Sequence, residues 1–80
     1  MDSYTIYFYN LTISYYQPIA AQPEIIITDI TGRVIKIFDF QTLSQGNQTL
    51  NCNVTQLKTG VYFIKLKTGN TEVTQKIIKQ

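Results

Sequence analysis

The chain reads as an all-β protein, an antiparallel β-sandwich of about seven short strands. Three observations predict this. Tyr, Ile, Thr, Val and Phe dominate the sequence, and these residues fit a pleated, half-buried surface better than a helix interior. Apolar and polar residues alternate over stretches of strand length. Gly, Pro and Asn then interrupt those stretches at short, regular intervals. With 80 residues the chain forms one domain over 1–80, and at 44% hydrophobic it is too apolar for intrinsic disorder.

The elements follow in order. Residues 4–9 form a possible first strand at the edge of the domain. Residues 1–10 are therefore either an edge strand or a segment foreign to it. Leu11-Thr12-Ile13-Ser14-Tyr15 alternates as a half-buried strand should, and Tyr16-Gln17-Pro18 and Gln22-Pro23 then mark a loop. Glu24-Ile25-Ile26-Ile27-Thr28-Asp29 is a short apolar run of strand length. Thr31-Gly32-Arg33 turns the chain, with Gly32 at positive φ and the Asp29 side chain capping the turn. Residues 34–40 form the next strand and 43–47 a loop. Residues 48–54 alternate again, placing Leu50, Cys52 and Val54 on one face. Residues 60–67 place Tyr62, Ile64 and Leu66 inward, opposite Val61, Phe63, Lys65 and Lys67. Thr68-Gly69-Asn70 is a hairpin turn with Gly and Asn at left-handed positions. Residues 71–79 close the sheet.

Composition excludes several chemistries. There is no histidine, so no histidine base, histidine metal ligand or Ser-His-Asp triad can form. One cysteine cannot assemble a zinc site or an internal disulfide. Cys52 shares its parity with Leu50 and Val54 and so reads as a small buried hydrophobe. Five dispersed carboxylates show no acid/base spacing. The chain reads as a non-enzyme without cofactor or metal.

A net charge of +2 is too small to imply nucleic-acid binding. Its layout is more informative. Residues 58–80 carry Lys58, Lys65, Lys67, Lys76 and Lys79 against Glu72 alone, whereas Asp2, Glu24, Asp29 and Asp39 outnumber Arg33 and Lys36 upstream. Lysines on exposed strand edges also block edge-to-edge aggregation, a simpler explanation of the same layout. No apolar run approaches a membrane span, and Met1-Asp2-Ser3-Tyr4 lacks the start of a secretory signal. The sequons at Asn10, Asn47 and Asn53 are matches expected by chance in a chain rich in Asn and Thr.

Leu57-Lys58-Thr59-Gly60-Val61-Tyr62 adds a more specific signal. A leucine, a turn glycine and an inward tyrosine at a strand start resemble the tyrosine corner of immunoglobulin-like sandwiches. There the ring packs in the core while its hydroxyl bonds upstream backbone.

Four pieces, taken in order, resemble the type A C-terminal sorting domain of the type IX (Por) secretion system of Bacteroidota. They are Leu11-Thr12-Ile13-Ser14-Tyr15, the run from Ile25 through Asp29, Gly32 and Val34 to Ile35, the Leu57-x-x-Gly60-x-Tyr62 strand, and Thr74-Gln75-Lys76-Ile77-Ile78-Lys79. The family opens with a Pro-Asn-Pro segment, and Ile6-Tyr7-Phe8-Tyr9-Asn10 stands there instead. The resemblance implies that Asp29, Gly32, Leu57, Gly60 and Tyr62 are fold-signature positions. It further implies an address on an exported cargo, whose upstream domain and signal peptide lie outside these 80 residues. The secretion translocon would read it in the periplasm. A surface peptidase and attachment machinery would then act at the outer-membrane surface or release the cargo. The basic terminal strand is the expected recognition element, with Lys76 and Lys79 presented to an acidic receptor and Ile77 and Ile78 between them.

Two other classes fit parts of the sequence. An immunoglobulin-like adhesion or spacer module would share the same core. A carbohydrate-binding module could use Tyr4, Tyr7, Tyr9, Tyr15 and Tyr16 as stacking rings, although alternation turns several of them inward.

Overall fold

In the computed structural model, residues 3–6 and 9–80 are described, and among them every regular element is a strand. The strands are β1 (Ser3–Ile6), β2 (Asn10–Gln17), β3 (Glu24–Thr28), β4 (Val34–Asp39), β5 (Gly46–Asn53), β6 (Gly60–Thr68) and β7 (Thr71–Lys79). They form two antiparallel sheets, ordered β1-β2-β5 and β4-β3-β6-β7. The chain crosses between sheets after β2, β4 and β5, giving the connectivity of an immunoglobulin-like sandwich. Of the possible first strand over 4–9, residues 4–6 lie in β1, and Tyr9 lies outside any strand. Tyr7 and Phe8 lie outside the described residues.

The alternation seen in the sequence becomes the core. Leu11, Ile13 and Tyr15 from β2 and Leu50 and Cys52 from β5 face Ile25, Ile27, Tyr62, Ile64, Leu66 and Ile77 from the other sheet. Each fully buried Ile or Leu contributes about 1.5–3 kcal/mol relative to exposure. Cys52 is buried as its parity requires, and burial pushes its thiol pKa up to about 12.

Gly32 adopts φ +90° in the β3–β4 turn. There Asp29 Oδ1 accepts from the Thr31 and Arg33 amides and from the Thr31 hydroxyl. The hydroxyl of Thr31, then the two amides, hold the Asp29 carboxyl below its ordinary pKa. In the β6–β7 turn Gly69 alone is left-handed, at φ +59°. No described non-glycine residue has positive φ, so Asn70 does not take the left-handed position expected of it. Gly at the first central position followed by a negative-φ residue is the sign pattern of a type II′ hairpin, which needs only one such glycine.

Two boundaries also move. β2 continues through Tyr16 and Gln17, and β5 starts at Gly46, because these two ends pair with each other in register. Gln17 is fully buried. Its Oε1 accepts from the Tyr15 hydroxyl (2.7 Å) and the Thr68 hydroxyl (3.0 Å), while Nε2 donates to the Leu43 carbonyl (2.7 Å). Side-chain bonds thus replace the loop expected from Tyr16-Gln17-Pro18.

A candidate recognition surface on the last strand

β7 pairs with β6 along its whole length, from Thr71 opposite Thr68 to Lys79 opposite Gly60. Nine residues of continuous ladder hold the strand rigid, so each of its side chains has one assigned face. The four residues expected to be read divide evenly. Lys76, opposite Phe63, and Ile78, opposite Val61, are exposed on the outer face of the four-stranded sheet. Ile77, opposite Tyr62, joins the core.

Lys79 corrects the expectation most plainly. It is only 6% exposed. Its ammonium donates to the carbonyls of Val54 (2.7 Å) and Leu57 (2.6 Å). Among the described residues it has no ion-pair partner. The folded domain does not present this lysine; it spends it on the β5–β6 connection. Two carbonyls in reach offset part of the desolvation that an unpaired buried cation would suffer.

The same connection is held from a second side. The Tyr62 hydroxyl donates to the Lys58 carbonyl at 2.6 Å, which is the tyrosine-corner bond expected from the motif. The Leu57 amide closes a turn onto the Val54 carbonyl, and the Leu57 side chain enters the core. Leu57, Gly60 and Tyr62 are thus brought together around Lys79. Asp29 and Gly32 stand apart in the β3–β4 turn. Gln17 was expected in a loop and Lys79 on the presented face; their parity with Tyr15 and Ile77 is the signal that both point inward.

A groove of about 460 Å³ lies between β3–β4 and the β5–β6 connection. Ile27, Phe38, Val54 and Leu57 give it an apolar floor, and Lys36 is the one ionisable side chain in its lining. Among the described residues the tyrosines do not build a stacking platform. Tyr15 is buried, and the exposed Tyr9 and Tyr16 sit at opposite ends of β2. Tyr7 lies outside the described residues.

These features place an immunoglobulin-like sandwich around the Leu57-Gly60-Tyr62 and Lys76–Lys79 motifs. Residues 7–80 match the family model of the secretion system C-terminal sorting domain. The chain belongs to that family. It is a C-terminal sorting signal for type IX secretion, which marks a protein for export across the outer membrane. No curated protein and no solved structure matched the chain. The sorting domain contains no helix among its described residues, and so none long and apolar enough to cross a membrane.

Proposed function

We propose that this sorting domain acts by being recognised and performs no catalysis of its own. Cargo fused to it crosses the inner membrane by the general export route, and the type IX machinery reads the folded domain in the periplasm. A surface peptidase then removes the domain, and the cargo is attached at the outer-membrane surface or released. The observation that carries this reading is the presentation of Lys76 and Ile78 on a fully laddered strand. A receptor meeting groups already fixed in place loses little further conformational entropy on binding. Lys76 supplies a cation that attracts an acidic surface, an attraction weakened by salt.

Removing residues 71–80 would confuse recognition with folding, because Ile77 and Lys79 belong to the interior. Lys76→Ala removes an exposed cation and leaves the ladder intact. In a host carrying the secretion system, a reporter fused to the wild-type domain reaches the surface, and Lys76→Ala lowers display with an unchanged unfolding midpoint. Equal display by a folded Lys76→Ala variant would remove Lys76 from the recognition element.

A further inference from the structure

An antiparallel sheet with one face on the core ordinarily turns polar residues to water on the other face. The four-stranded sheet departs from this over half its outer surface. Ladder register arranges that surface in rows running β4-β3-β6-β7. The first row is Asp39, Glu24, Lys67 and Glu72, all polar. The next holds Ile37, Ile26, Lys65 and Thr74, and the next Val34, Thr28, Phe63 and Lys76. The last pairs Val61 with Ile78. Ile37, Val34 and Ile78 are 49%, 52% and 58% exposed. Ile26, Val61 and Phe63 between them are half-buried.

The bulge in β4 contributes to this. Ile27 pairs with Lys36 and Thr28 with Val34, so Ile35 is the extra residue and packs against the core. The bulge thereby turns Val34 and Ile37 outward together. Six apolar side chains thus spread across all four strands, with lysine at their margin. A contiguous apolar patch with a polar rim marks an interaction site.

Charge on the face decides what it fits. Lys65 lies 3.8 Å from Glu72, and Lys67 stands in a row with Glu24 and Glu72. Among the described residues Lys76 has no ion pair, and its own row contains no carboxylate. The patch therefore offers one uncompensated cation beside an apolar centre. Membrane surfaces are recognised by clusters of about four or more uncompensated basic residues, which this face lacks. A second copy is also disfavoured. The carboxylates of this face, Asp39, Glu24 and Glu72, share the row and neighbourhood of Lys67 and Lys65, so a second copy offers Lys76 only acids already facing lysines.

We propose that the outer face of β4-β3-β6-β7 is the docking surface for a protein of the export machinery, one presenting an apolar patch bordered by a carboxylate that meets Lys76. This rests on the reading of the domain as a recognised address, and it extends the contact from the last strand to the whole sheet. Phe63 and Val61 join Lys76 and Ile78 as one site, with Ile26 and Ile37 as its far half.

The test uses reporter display in a type IX host together with the unfolding midpoint of each variant. Ile26→Thr combined with Val61→Thr and Ile78→Thr keeps β-branched residues in the ladder while removing apolar area. Display is expected to fall at least about tenfold, because three of the six apolar side chains of the patch lose their area. Ile78→Thr alone, on an exposed position of an edge strand, gives a smaller fall and remains informative should the triple variant unfold. Wild-type display by folded variants overturns the docking surface and leaves the address reading standing. No display of the wild-type fusion overturns both. Two further outcomes also overturn the proposal: dimerisation of the isolated wild-type domain that the triple variant loses while display persists, and binding to anionic phospholipid vesicles that the triple variant loses while display persists.

Discussion

The two ends of β6 are closed in different ways. At the Thr68 end the fastening is neutral: Gln17 accepts from the Tyr15 and Thr68 hydroxyls and donates to the Leu43 carbonyl. At the Gly60 end it is ionic: the Lys79 ammonium reaches the Val54 and Leu57 carbonyls, and Tyr62 holds Lys58 alongside. Both ends satisfy polar groups that the sandwich would otherwise bury unpaired. They differ in what their central group loses on leaving water. A primary amide loses little that its partners do not return, whereas an ammonium without a carboxylate loses much more. The neutral end should therefore be the stronger net contributor, even though its bonds carry no charge. The charged end ties the last strand to a connection more than 20 residues upstream, and its value lies in where it holds β7.

Gln17→Leu tests the neutral end and should have the largest effect. It strands the Tyr15 and Thr68 hydroxyls, while the Leu43 carbonyl keeps the Ala21 amide as donor and the added apolar burial offsets part of the loss, so it should cost about 3 kcal/mol at roughly 1–3 kcal/mol per unsatisfied group. Chemical denaturation with a shifted midpoint and unchanged m value would show it. Lys79→Met should cost less, about 2 kcal/mol, because losing two carbonyl bonds is partly offset by no longer burying a charge. A Lys79→Met loss exceeding that of Gln17→Leu would reverse the ranking of the two ends. Tyr62→Phe removes a single hydroxyl bond beside the charged end and should cost about 1 kcal/mol. Measured in the Lys79→Met background, its cost should change, since both residues act on the same connection.

Asp29, in the β3–β4 turn, gives a smaller and pH-dependent effect. Its carboxyl is held below its ordinary pKa by the Thr31 hydroxyl and the Thr31 and Arg33 amides. A depressed folded pKa means stability that is present above the unfolded pKa near 4 and lost as pH falls through the folded value. Asp29→Asn keeps an acceptor in place but cannot titrate. Its thermal midpoint should fall less steeply than that of the wild type between pH 5 and pH 2, the window set by that downward shift. Lys76→Ala should change stability least, within about 0.5 kcal/mol, as an exposed substitution away from caps and core. Its effect belongs to display.

Much of the architecture was legible because a strand repeats every two residues. Leu11, Ile13, Leu50, Cys52, Ile64 and Leu66 announced their inward positions, and Gly32 and Tyr62 announced a turn and a corner. The misreadings share a cause. Gln17 follows Tyr15 by two residues, and Lys79 follows Ile77 by two, so continued alternation points both inward, although Gln17 was expected in a loop and Lys79 on the presented face. Their polarity suggested otherwise, and apart from the Tyr15 hydroxyl the partners that make burial tolerable lie 22 to 51 residues away. Such partners are tertiary facts that local pattern does not contain. Asn70 was misassigned for a different reason, since the II′ sign pattern requires one left-handed residue and Gly69 supplies it. The recognition surface was half visible. Val61 and Phe63 shared a face with Lys65 and Lys67 in the sequence, but joining them to Ile26, Ile37 and Ile78 required the ladder.

The buried ammonium of Lys79 has a consequence for what the domain shows to others. Sliding β7 by one residue would turn every side chain through the sheet, sending Lys76 and Ile78 inward and Ile77 and Lys79 out. The observed alignment sets Lys79 beneath the Val54 and Leu57 carbonyls, and a slip of one residue either way would put Ile78 or Gln80 there instead. Lys79 is in this sense a detent: concealed itself, it determines which letters of the last strand are legible from outside.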